Sequence, residues 1–554
     1  MQKHILKVFL FITFVCFQTQ VFYAQDTLGT LTIIGTGAFR PTVADANKIN
    51  ENPVVNDSTQ KLQVKSYSIN SQRINTNFDV APIAAAQMVG EPLTKLYNAL
   101  VKIGFGNYTT PYGEVWYNSL RSKEYAYGVH MKHLSSTYTA KDYGFAGLSD
   151  NEINLNGKKF LKEHTLSGNF DYARNVVHFY GYDVVNNSLN KDATAQRFNY
   201  FGANAELMSH YSKEERYNHE VKLSYYNIAD LYKASENNIK AEGFVKTTIQ
   251  KEVIKVNAAV EYFNNKTMKD TVNNTNITIN PNVYAKGEKY TAAVGLTATM
   301  DNEDGTKFYF YPKIDLSYNV VENIIVPYIG ASGGLHKNSL KEITDQNPFV
   351  LSELQLKSTN NRYQLFGGIK GTVTSNIDYD ASASYTSMYN MAMYVNDTKN
   401  LLANRFDVIY DDGEELHVHG EMAYQLREKI RIHLSGDYFN YKMKTEMRAW
   451  YLPQLKFALG GNYNISDKII VRADFFYLDN QYAKTIENAG THQEKVEATQ
   501  LKGMFDANIG GEYRYNKKLG FFINVNNIAN VRYYRYSNYP TQRFNAMLGL
   551  SYSF

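Results

Sequence analysis

The sequence predicts an all-β fold, a transmembrane antiparallel β-barrel of about 22 strands behind a short irregular amino-terminal segment. Three observations carry that reading. Apolar and polar residues alternate from about residue 97 to the end. The chain is aromatic and poor in proline, with Tyr 46, Phe 30, Gly 35 and Pro 11 in 554 residues. Tight polar turns fall on one side only of successive strand pairs, as they do in barrels that cross an outer membrane. Hydrophobic residues at 44% and charged residues at 20% make the chain too polar for a bundle of spanning helices. Beyond the amino-terminal segment, no run approaches the roughly 20 apolar residues that such a helix needs. Lys+Arg 58 against Asp+Glu 54 gives a net charge of +4, and no clustered basic patch is present, which argues against a nucleic-acid partner.

Residues 1–24 read as an export signal: Lys3 and Lys7 precede an apolar run over 8–17, and Ala24-Gln25 offers a cleavage point. The only cysteine, Cys16, lies inside this segment. A mature chain without cysteine must be held by a hydrogen-bonded framework or a membrane, not by disulfides. Residues 25–90 contain Gly29, Gly35, Gly37, Pro41, Pro53 and Pro82 and a polar run over 47–61. They read as a short periplasmic or luminal segment, with strands at 31–34 and 62–68 at most. The barrel is expected to occupy residues 91–554.

Within it, Phe544, Ala546, Leu548, Leu550, Tyr552 and Phe554 alternate with Asn545, Gly549, Ser551 and Ser553, and Met547 is the one exception. Over 307–318 one face reads Phe308, Phe310, Pro312, Ile314, Leu316, Tyr318 and the other Lys307, Tyr309, Tyr311, Lys313, Asp315, Ser317. Leu416, Val418, Met422 and Tyr424 alternate with His417, His419, Glu421 and Gln425, and Ile430, Ile432, Leu434, Gly436 and Tyr438 with Arg431, His433, Ser435 and Asp437. Tight turns are expected at 122–124, Asn175, 212–215, 250–251, 287–288, 321–322, 374–376, Glu428, 466–467 and 516–518. The longest connections at the other end are expected near 336–360 and 391–414. A closed barrel satisfies every backbone group in lipid, which an open sheet of this size would not.

The end of the chain carries a resemblance. Phe521-Phe522-Ile523-Asn524-Val525-Asn526-Asn527-Ile528-Ala529-Asn530, then Tyr533-Tyr534, then Gly549-Leu550-Ser551-Tyr552-Ser553-Phe554, resembles the carboxyl-terminal signature of TonB-dependent outer-membrane receptors. That resemblance implies a 22-stranded barrel in the outer membrane of a Gram-negative bacterium and uptake of a solute. The family also carries a plug domain of well over one hundred residues behind a TonB box. Here about 65 residues precede the alternating region, so a full plug is not expected, and engagement of TonB is left open, although residues 30–34 resemble the box. A terminal aromatic such as Phe554 resembles the signal by which the barrel-assembly machinery recognises its clients.

His417, His419 and Glu421 share one face, with His433 and Asp437 on the next strand. Pairing about Glu428 would set His419 opposite Asp437, a luminal set that zinc or another divalent ion would accept. Because a lumen is polar in any case, the wall-lining reading is favoured over the metal reading. Asp407, Asp411, Asp412, Glu414 and Glu415 surround Gly413 and read as a solvated outer turn, with calcium as the less favoured alternative. No GxSxG elbow, HExxH or P-loop is present, so neither an enzyme nor a cofactor is expected. Tyr533, Tyr534, Tyr536 and Tyr539 read as an outer aromatic girdle, with carbohydrate stacking as the alternative, and Tyr513 and Tyr515 as an inner one. The expected function is passage of a solute. The alternative is a non-transporting subunit of an outer-membrane complex for protein assembly or export. Either way a bore of this width must be filled, by residues 26–90 or by an envelope partner.

Overall fold

The computed structural model describes residues 96–211, 216–397, 402–466, 468–487 and 495–554. The expected divisions at residues 24 and 90, the amino-terminal strands and the box-like residues 30–34 all lie outside them.

Twenty-two strands form one antiparallel sheet in which each strand pairs with its neighbours in sequence. The first strand, Ala99–Gly106, pairs over seven rungs with the last, Asn545–Ser553, from Leu100 opposite Ser553 to Gly106 opposite Met547. The sheet therefore closes on itself and leaves no edge. At the join, Phe554 donates its N–H to the Ala99 carbonyl at 2.9 Å, and Asn98 donates to the Phe554 carbonyl at 3.2 Å.

Alternation separates the two faces as expected. Phe308, Phe310, Ile329 and Leu548 are 63–67% exposed. Large apolar side chains displayed in that way around a closed wall require lipid as their solvent. The opposite face holds Lys307, Tyr309, Lys313 and Asp315, which register against Asp301, Thr299, Gly295 and Ala293 of the preceding strand, Tyr290–Asp301. Met547 is exceptional for a local reason. It belongs to the luminal face, where its sulfur would lie 3.3 Å from a Cβ placed on Gly104, so it fills space that the glycine leaves.

Tight turns join strands at the inner end, as between Ser235–Ile249 and Glu252–Lys266, Ser358–Thr374 and Ile377–Asn396, and Phe406–Leu426 and Ile430–Met443, but the expectation that they fall on one side only is corrected: the outer connections 107–109, 230–234, 267–270 and 302–306 are also only three to five residues long. One expected turn is corrected. Asn175 sits inside the strand His164–His178, opposite Asp150, and the chain reverses at 161–163, where the Leu161 N–H reaches the His164 carbonyl at 2.8 Å. The luminal face of this strand is rich in Asn and Asp, and mimics turn composition without making a turn.

At the other end the expectation for 391–414 is also corrected. Strands run to Asn396 and resume at Phe406, so this connection is short. Its acidic residues belong to the strand Phe406–Leu426, not to a turn. Three of them are committed to their neighbours: Asp411 accepts from the Thr445 and Glu446 amides, both at 2.8 Å, Asp412 pairs with Lys444 at 2.9 Å and Glu414 with Lys442 at 3.5 Å. Above the bilayer both faces of a strand meet water, so pairing continues where alternation stops. The long outer connections are 338–357, 479–503 and 527–544. The first carries the helix Leu340–Gln346.

Candidate functional site in the roofed lumen

Strand parity aims charged side chains into the bore, and neighbouring strands set opposite charges beside one another. Glu114 lies 3.0 Å from His130 and 3.7 Å from Lys102, and Glu152 lies 3.1 Å from Lys132. On the strands Asn218–Ala229 and Ser235–Ile249, Glu242 meets Lys222 at 3.4 Å and Lys240 at 2.8 Å. Such pairs add about 0.2–1 kcal/mol each. Their larger effect is a hydrated, charge-balanced wall.

The outer mouth is different, because it is closed by an apolar core. Tyr180 follows the fifth strand, His164–His178; Phe349 follows the thirteenth, Val326–Lys337; Tyr539 follows the twenty-first, Leu519–Asn526. These three points are spaced almost evenly around the rim. Yet their rings meet: Phe349 and Tyr539 at 4.1 Å, Tyr180 and Tyr539 at 4.7 Å, Tyr180 and Phe349 at 5.7 Å between centroids. Connections that rise a third of the way round from one another can meet only by crossing the bore.

Around this junction Phe406 and Trp450 are fully buried, as are Met393 and Val350. Polar groups lock the layer. Tyr180 donates to the Pro540 carbonyl at 3.0 Å, Tyr536 to the Gln346 carbonyl at 2.9 Å and Asn404 to the Phe179 carbonyl at 2.8 Å, while the Tyr539 hydroxyl donates to the Asn404 carbonyl. The Arg405 guanidinium lies over Phe179 at 4.4 Å and Tyr232 at 4.9 Å. Glu236 ties the roof to the wall by accepting the Leu340 N–H at 2.8 Å. Burial pushes the Tyr180, Tyr451 and Tyr539 phenols well up, so they remain neutral hydrogen-bond donors. Among the outer connections lies a cleft of about 490 Å³ lined by Asp142, Tyr143, Tyr182, Asp183, Asn187 and Asn538.

The outer-girdle reading is therefore corrected for Tyr533, Tyr536 and Tyr539, which are 7%, 7% and 1% exposed. Tyr536 and Tyr539 belong to the roof and Tyr533 to a separate cluster with Leu478 and Met504, all three covered by protein, not lipid. Tyr513 and Tyr515, beside an inner turn, are exposed as a girdle requires. Sequence periodicity had no means of finding the roof, since its residues come from connections without a period.

The luminal histidines come together in part. In the register His419 stands opposite Asp437 and His417 opposite Phe439. His419 Nδ1 lies 2.7 Å and His417 Nε2 2.9 Å from the same Asp437 oxygen, Oδ1, and His419 Nε2 is 3.7 Å from Glu421. His433 does not join them. It faces Ala423, further toward the turn, and its Nδ1 is buried without a hydrogen-bond partner.

Several solved structures share this architecture. The ferripyoverdine receptor of the Pseudomonas aeruginosa outer membrane superposes with a TM-score of 0.63 at 11% identity, over 83% of this chain and 72% of that one. The FrpB iron transporter from Neisseria meningitidis gives 0.64 at 9% identity, over 83% and 82%. The ferric-catecholate import receptor Fiu from E. coli gives 0.59 at 12%, again over 83% and 82%. The chain therefore shares the 22-stranded barrel fold of these outer-membrane proteins. No protein-family model and no curated protein matches the chain.

Proposed function

We propose that this receptor barrel takes up a solute across the outer membrane, of the size class of the ferric complexes carried by the proteins it resembles in fold. The roof supports this reading most directly. A diffusion pore has no use for an apolar layer across its bore, whereas an uptake receptor must stay shut until cargo engages it. The tyrosine- and carboxylate-lined cleft among the outer connections offers a landing place, and the charge-balanced wall beneath offers a hydrated path. The alternative of a non-transporting subunit is less well supported, because an apolar layer across the mouth can form from the chain's own connections and calls for no companion. Accumulation of iron-55 supplied as a set of chelates, in iron-starved cells lacking the gene and in cells with it restored, tests the reading. One chelate should be taken up only when the gene is present. Equal uptake of every chelate in both strains would reject a ferric cargo.

A further inference from the structure

We propose that His417, His419 and Asp437 form a binding site for a divalent transition-metal ion on the luminal wall, with Glu421 orienting His419. The site goes beyond the uptake reading and does not depend on it.

The wall builds it from two adjacent strands, Phe406–Leu426 and Ile430–Met443. Residues 417 and 419 share a face at the period of two, and the antiparallel register brings Asp437 directly across from His419. One donor atom from each of the three residues lies within 4.8 Å of the others. Ligands around a zinc-sized ion at about 2.0–2.1 Å stand roughly 3.3 Å apart, so side-chain rotation alone suffices to close the set.

The chemistry of the donors is selective. Two imidazoles and one carboxylate suit zinc or its first-row neighbours, not calcium or magnesium, which require all-oxygen shells. His419 shows the arrangement expected of a ligating histidine. Its Nδ1 faces the centre of the cluster and its Nε2 faces the Glu421 carboxylate, which would fix the tautomer and raise the basicity of the ligand. The His417 ring stacks on Phe439 at 4.3 Å with 6° between planes, so its orientation is set before an ion arrives. Lys456, opposite Asp437 on the next strand, places its amine over the same Phe439 ring at 5.5 Å. The three ligands are half-buried, each side chain 24–27% exposed. The fourth position is thus left to water or cargo on the luminal side, the open arrangement of a site that exchanges its ion.

The test uses the full-length, untagged protein, refolded in detergent and dialysed against chelator, titrated with Co2+ for ligand-field absorption and with Zn2+ against a chromophoric chelator. One equivalent should bind. His419→Ala and Asp437→Asn should each weaken Zn2+ binding by about a hundredfold or more, and Glu421→Gln by roughly 10–100-fold, the usual effect of losing an orienting partner. His433→Ala should leave affinity within about twofold, which separates this cluster from general histidine binding. Heat-modifiable migration verifies that each variant is folded; Glu421→Gln alters no ligand, so it still decides the matter should a ligand variant fail to fold. Absence of stoichiometric binding, or affinity unaffected by His419→Ala and Glu421→Gln, would overturn the proposal.

Discussion

Leu548 and Ser551 stand three residues apart on the last strand and face different solvents. Leu548 is 63% exposed on the lipid face, while Ser551 registers against Lys102 and Gly520 on the luminal one. An arginine at Leu548 should cost about 2–4 kcal/mol if placed near the bilayer midplane, and one at Ser551 far less. Equilibrium unfolding in urea from lipid vesicles measures both, and equal losses would show that the faces are misassigned. This distinction was legible in the sequence, because lipid imposes it at every second residue. The roof tyrosines were not legible. Tyr536 and Tyr539 carry the composition of an interfacial girdle, and only the three-way approach of distant connections reveals that protein covers them.

Whole strands were legible wherever they cross lipid and became less so above it. The strands ending at Asn396 and starting at Phe406 continue into water, where Asp407, Asp411 and Asp412 replace the apolar alternation and imitate a loop. The long connections, confined to the outer end, give a direct topological prediction. Cysteines introduced at Val185, which is 84% exposed, and at Lys341 should react with an impermeant thiol reagent on intact cells. Cysteines at Lys123 and Lys517 should not, and their labelling in sealed cells would invert the barrel. The last strand permits a second test. Removing Phe554 gives up its two backbone hydrogen bonds with Ala99 and Asn98 but keeps all seven registered rungs of the closing ladder, so the purified barrel should remain heat-modifiable. Its amount in the outer membrane should nonetheless fall, if the terminal aromatic is what the assembly machinery reads. Undiminished levels in membrane fractions would assign Phe554 no role in biogenesis.

At the scale of the molecule, a wall of 22 strands encloses a bore wide enough to breach the membrane unless something fills it. The junction of Tyr180, Phe349 and Tyr539, backed by Phe406 and Trp450, lies across that bore and offers a closure made from the barrel's own connections. Removing a buried ring of this kind typically costs about 3–5 kcal/mol, enough to open a layer held by a single core. Conductance in planar bilayers tests the closure most directly, with residues 26–90 deleted so that only the barrel and its connections can block current. A bore roofed by its own connections predicts that this protein stays closed, and that further deletion of 338–357, or the pair Tyr539→Ala and Trp450→Ala, produces large, steady channels. Large conductance as soon as residues 26–90 are removed would contradict the roof as the seal.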